Sequence, residues 1–195
     1  MKALLISIML ILSAQLASAQ NKGADAIPVP VVDSTICYEG VIKANPALTR
    51  DQLYQKVRQW ASAKIIVPPN IPTLLYDNPA EGNLSARMMF HTINLSASAN
   101  TNYMIPQAII HIQVKEGKIK YTITDFLYIH GDISNSAKFI TEGDGKAMIY
   151  NATSDKKLKS HKTEFIFYMT EINRIIQDKL KSLQAYIKRP VIDEF

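Results

Sequence analysis

The chain has 195 residues, 22 Lys and Arg against 17 Asp and Glu, and a formal net charge of +5 at pH 7. With 47% hydrophobic and 20% charged residues it can bury a core, which excludes a disordered polyelectrolyte. So mild a charge, without aromatic interleaving, gives no warrant for nucleic acid as a partner, and a single cysteine excludes an internal disulfide.

The elements read as follows in chain order. Met1-Lys2-Ala3 supplies a positive start, Leu4 to Leu12 an apolar run, and Ala17-Ser18-Ala19 a small-residue cleavage site. Together they read as a secretory signal peptide over residues 1–19, cleaved near Ala19. The apolar run is shorter than the roughly 20 residues a membrane span needs, so no transmembrane anchor is expected. Export to the periplasm or the medium follows. Residues 20–34 read as an extended linker, with Gly23, Pro28 and Pro30 as punctuation. One α+β domain over residues 35–185 is expected, followed by an exposed tail at 186–195.

Thr35 to Lys43 alternates as a strand, with Ile36, Tyr38, Gly40 and Ile42 on one side. Thr49 with Gln52 three residues later forms a capping box, so a helix begins there. Leu53, Val57, Trp60 and Ala61 make its buried stripe, which reads Trp60 as core rather than ligand platform. A meander follows: a short strand at Thr73 to Asp77, a turn through Asn78-Pro79-Ala80-Glu81-Gly82, and a strand from Asn83 to Ile93. Gln107 to Lys115 and Lys118 to Phe126 pair across the two-residue turn Glu116-Gly117. Ile119, Tyr121 and Ile123 face inward on the return strand. His130 to Ser160 is rich in loop residues, with a short strand at Ala147 to Tyr150. Thr163 to Ala185 repeats apolar residues every three or four positions, from Phe165 through Ile172 and Ile176 to Leu183, and reads as a long helix covering the sheet.

The inventory of reactive residues is thin. His91, His111, His130 and His161 show no paired spacing, so no metal site is expected. Asp77, Glu81 and Asp125 are the acid–base candidates, but turn and strand-end carboxylates ordinarily bond backbone or solvent. Cys37 lies in a strand with no histidine near it in sequence, as an inert thiol does. The basic run Lys156-Lys157-Leu158-Lys159-Ser160-His161-Lys162 reads as a solvated surface segment. No catalytic residue and no cofactor are expected.

One longer pattern stands out. Tyr38-Glu39-Gly40-Val41-Ile42 leads into Thr49-Arg50-Asp51-Gln52-Leu53-Tyr54 and Trp60. A strand–turn–strand follows through Asp77-Asn78 and Gly82, and then the hairpin from Ile112 to Phe126. Over roughly Thr35 to Tyr128 this resembles the bacterial family called domain of unknown function 4468. It departs from the family in a return strand that carries Lys118 and Lys120 where the family is rich in arginine, and in a second meander strand that carries Ser85, Ala86 and Met88 in place of glycines. The resemblance implies a TATA-binding-protein-like fold: a curved antiparallel meander, one helix in the N-terminal half and a long C-terminal helix packed across the sheet, a helix-grip-like layout. It supplies no catalytic residues.

Two functional classes follow. The first is a non-enzymatic binding or interaction module of the cell envelope, whose partner is a protein or another envelope component. The alternative is a carrier of a small apolar ligand between the C-terminal helix and the sheet, with Tyr121, Ile123 and Ile172 as the candidate ligand-binding residues.

Overall fold

The computed structural model describes residues 27–65, 67, 71–94, 102–132, 139–154, 157 and 159–189. The predicted signal peptide and residues 20–26 of the linker lie outside the described residues.

The elements are β1 (Val31–Val32), β2 (Thr35–Ile36), β3 (Tyr38–Lys43), α1 (Arg50–Lys64), β4 (Leu74–Asn78), β5 (Asn83–Met89), β6 (Ile93–Asn94), β7 (Asn102–Lys115), β8 (Lys118–Asp132), β9 (Phe139–Asp144), α2 (Gly145–Thr153) and α3 (Lys159–Lys188). The main sheet is antiparallel in the order β3-β8-β7-β5-β4, with β6 against β7 and β9 against β8. This is the expected α+β meander, with the long C-terminal helix over the sheet.

Period-two alternation decides which face is which. Tyr38 on β3, Leu84, Ala86 and Met88 on β5, Ile110, Ile112 and Val114 on β7, and Ile119 and Ile123 on β8 are all buried. They form one core with the stripes of all three helices. On α3 that stripe runs from Phe165 through Tyr168, Met169, Ile172 and Ile176 to Leu183 and Ile187. At 30 residues the helix is about 45 Å long, enough to cross the sheet. Side-chain hydrogen bonds fasten it: Tyr38 Oη donates to Asn173 Oδ1 at 3.1 Å, Trp60 Nε1 to Ser182 Oγ at 3.3 Å, and Tyr186 Oη to Gln59 Oε1 at 3.5 Å. The Lys179 ammonium bonds the Lys64 carbonyl, where it meets the negative end of α1.

The capping box at Thr49 forms as expected, with both of its hydrogen bonds present.

Besides breaks in the strands read at Thr35–Lys43 and Asn83–Ile93, and the strand β9 in the stretch read as loop-rich, the chain departs from the sequence reading in four places. Val31 to Ile36 folds into a small hairpin, β1 with β2, which starts inside the stretch read as linker. Asp33 and Ser34 take positive φ values of 49° and 61° at its turn, as a two-residue hairpin requires. Strands β7 and β8 run 14 and 15 residues, well beyond the alternating segments read as strands. A bulge restores the alternation on β8: Gln107 pairs with Leu127 and Ile109 with Thr124, so two β8 residues oppose Ala108. Asp125, at φ 52°, is the extra residue. Third, Ala147 to Tyr150 is helix, not strand. Asp144 caps it by accepting from the Ala147 amide at 2.8 Å, and Met148 and Ala152 turn one face inward. Fourth, α3 continues through the start of the predicted tail, because Ile187 extends the buried stripe one turn past Leu183. Residues 190–195 of that tail lie outside the described residues.

Candidate functional site: the open face of the sheet

Helices cover one face of the sheet and leave the other open. The outward residues, row by row, come from the strand register. Lys43, Lys118 and Lys115 stand side by side on β3, β8 and β7. The next outward row is Val41, Lys120, Gln113 and Asn83. The row after that is Glu39, Thr122, His111 and Ser85. Val41 is 60% exposed, and Tyr76 and Leu127 on the same face are also exposed. A shallow depression of about 380 Å³ lies here, lined among others by Tyr76, Ser85, His111, Gln113, Lys120 and Thr122.

Ser85 Oγ and His111 Nδ1 share a hydrogen bond of 2.8 Å. The other ring nitrogen, Nε2, stands 3.8 Å from Asp125 Oδ2, and Thr124 Oγ1 donates to that same oxygen at 3.1 Å. A hydroxyl, an imidazole and a carboxylate in line bring nucleophilic catalysis to mind. The geometry does not support it. The distance of 3.8 Å is too long for the hydrogen bond that orients a catalytic imidazole, and Asp125 is 63% exposed. Ser85 lies on β5 between β4 and β7 and is paired on both sides, so the backbone beside it is taken up in the ladders. The line suits polar recognition. Nearby, Arg87 Nε is shut off from solvent and has no hydrogen-bond partner.

The three candidate ligand-binding residues do not converge on an opening. Ile123 and Ile172 are fully buried within the core. Tyr121 is half-buried and lies over Gly40 of β3, where a Cβ would come within 2.6 Å of its hydroxyl oxygen. Burial pushes that hydroxyl's pKa up. Tyr128 covers Gly143 of β9 in the same way. In both pairs a ring fills the space above a glycine on the neighbouring strand. Tyr121 therefore closes the edge of the core.

The acid–base candidates have separate partners. Asp77 accepts from Tyr54 Oη at 2.6 Å and from Arg58 Nε at 2.7 Å, which clamps α1 to β4. Those hydrogen bonds hold its carboxyl below the usual range, while burial and the Asp77 bond push the Tyr54 hydroxyl well up. Glu81 accepts from Tyr76 and Asn83 in the β4–β5 turn. Asp125 sits at the bulge. Gly82 closes that turn at φ 73°, and a Cβ there would lie 2.7 Å from the Val114 carbonyl oxygen. Burial, then the Glu39 carboxylate, raises the Cys37 thiol pKa, the opposite of what a nucleophile needs. His91 is exposed beside β6, His130 lies in β8 and His161 in α3. Among the described residues no three of His, Cys, Asp and Glu are grouped to hold a metal ion. Part of the basic run at 156–162 forms the first turn of α3; residues 156 and 158 lie outside the described residues.

Sequence reasoning missed the cross-strand pairing of Ser85 with His111 and the alignment of the three lysines. Period-two alternation gives each lysine an outward position on its own strand. Only the β3–β8 register, which joins residues far apart in sequence, brings Lys43 beside Lys118.

The family described as a domain of unknown function (DUF4468) with TBP-like fold matches residues 38–129. Over that segment the chain is similar to the DUF4468 family. The match runs from the start of β3 into the second half of β8, so it holds the whole lysine row. A crystal structure of a DUF4468 family protein from Bacteroides ovatus ATCC 8483 is similar at a TM-score of 0.62 and 14% identity, covering 84% of this chain and 94% of that one. A TBP-like protein from Parabacteroides distasonis ATCC 8503 gives 0.58 and 14%, covering 81% and 98%. Identity this low speaks for the fold alone. No curated protein matches the sequence.

Proposed function

We propose that this protein is an exported, non-enzymatic binding module of the bacterial cell envelope, and that it engages its partner through the open face of the sheet. The observation that carries this reading is the asymmetry of the sheet. Its inner face is sealed by three helices into one core, while its outer face presents Val41, Tyr76 and Leu127 among polar and cationic side chains. Apolar residues set singly among polar ones on a rigid sheet suit recognition of a surface. Export rests on the residue pattern of the first nineteen positions. A carrier holds its ligand inside, yet Ile123 and Ile172, which face each other's layer, are both fully buried.

The test is site-specific photo-crosslinking in the native cell. A crosslinker at Thr122 on the open face should capture a defined partner, and one at Lys181 on the outer side of α3 should not. Equal capture from both positions, or from neither, counts against the sheet face. Native mass spectrometry after exposure to a lipid extract reads the carrier alternative directly, as one apolar molecule retained per chain. The exported form should begin at Gln20; recovery of a chain that still begins at Met1 refutes processing.

A further inference from the structure

The open face has a cationic end. Lys43, Lys118 and Lys115 are directly opposed across three strands, and Lys120 follows Lys118 one outward position along β8. All four are exposed. Directly opposed side chains on adjacent strands sit about 5 Å apart, and like charges in that arrangement repel. Nothing on the face offsets them: among the described residues none of the four makes an ion pair or a side-chain hydrogen bond. The nearby carboxylates, Glu39 on the same face and Glu116 in the hairpin turn, bond none of them. The helical side of the molecule differs. There Arg174 pairs with Glu171 at 3.0 Å and Asp178 at 3.5 Å, and Lys181 with Asp178 at 3.7 Å.

A second feature coincides with the lysines. Val41, the most exposed large hydrophobic residue among those described, has Lys120 opposite it, Lys43 two positions along its own strand and Lys118 on the diagonal. A bare valine ringed by three ammonium groups on flexible stems is the arrangement of an interfacial contact. The apolar group enters the headgroup layer and the cations meet the phosphates around it.

We propose that this corner of the sheet docks on an anionic phospholipid surface. The inference rests on the reading of the open face as the binding surface and adds the chemistry of the partner. The four lysines are exposed on one face and spread across three strands rather than along one, which matches a layer of phosphates better than it matches one extended acidic peptide. Each lysine near such a surface contributes about 1 kcal/mol, which is about fivefold in affinity.

The experiment is co-sedimentation of the protein recovered from expressing cells with vesicles of phosphatidylglycerol and phosphatidylcholine, against vesicles of phosphatidylcholine alone. Binding should be at least tenfold stronger to the anionic vesicles and should fall as salt rises from 50 to 500 mM, over which the Debye length shortens about threefold. K118Q/K120Q should lose about 20-fold, V41S several-fold, and K181Q on the helical side nothing. The lysine variants remove repulsion, so their melting temperature should stay level or rise, which separates lost binding from lost folding. Equal binding to both vesicle types, or an equal loss in K181Q, overturns the proposal. So does a polyglutamate peptide bound with the same lysine dependence while vesicles are ignored. Capture of a protein through Thr122 together with indifference to vesicles would remove the lipid and leave the open face standing; failure of both removes the face as well.

Discussion

Tyr121 offers the sharpest test of whether the inner side of the sheet is scaffold or site. Replacing Gly40 by Ala adds one methyl group where the Tyr121 hydroxyl oxygen is 2.6 Å and its Cζ 2.8 Å from the new carbon. Ordinary carbon contacts lie near 3.5–4.0 Å, so the ring must retreat by about 1 Å. Overpacking of that kind costs about 1–3 kcal/mol. Ala in place of Gly within a strand returns about 0.5–1 kcal/mol. The single variant G40A should therefore lose roughly 1–2 kcal/mol net. In a Y121A background the methyl group has room, and the same change should gain about 0.5–1 kcal/mol. The coupling energy between the two positions is then about 2 kcal/mol. Urea unfolding of the four proteins by far-ultraviolet circular dichroism, with a common m-value, measures it. A coupling below about 0.5 kcal/mol would mean the ring does not rest on the glycine, and the half-buried Tyr121 would return as a candidate for ligand contact.

Other outcomes follow from the same packing. Ile172→Asp places an unpaired charge in the fully buried stripe of α3 and should cost at least about 3 kcal/mol; a melting temperature within a degree or two of the parent would show that the helix does not pack there. Thr49→Ala removes the cap of α1 and should cost about 1 kcal/mol, or roughly 2–4 °C in a thermal melt. Asp77 has a folded-state pKa held below its ordinary value by Tyr54 and Arg58. The stability it contributes is therefore complete above about pH 4, where it also ionises in the unfolded chain, and is lost as pH falls through the lower folded value. D77N should be less stable at pH 7 and decline less on acidification; parallel urea-midpoint profiles from pH 7 to pH 2.5 would contradict the clamp.

Local physics made several elements legible in the residues. The Thr49–Gln52 box marks a helix start because both partners lie within one turn, and the structure shows both bonds. The Glu116-Gly117 turn marks a hairpin because Gly117, at φ 66°, takes the conformation the turn demands. The α3 stripe is legible because 3.6-residue periodicity is a property of one segment. The segment after β8 was harder. Gly143 and Gly145 look like loop punctuation, yet Gly143 sits in β9 under the Tyr128 ring, and Gly145 opens a helix capped from Asp144. Their roles depend on residues supplied by other elements.

By itself, the sequence determined the secondary-structure types wherever a repeat or a cap lay within a few residues, the inward face of each central strand, and the family of the segment from Tyr38 to Ile129. Tertiary structure alone decided which strands are neighbours. Register across β3, β8, β7 and β5 is a long-range property, set when the apolar faces of all four seal against the helices at once. That sealing puts Ile123 and Ile172 out of reach of solvent, pairs Ser85 with His111, and aligns Lys43, Lys118 and Lys115 on the face left open. Outward residues carry no periodic signal about their neighbours on other strands, so the surface that offers itself for binding was the part least legible in the chain.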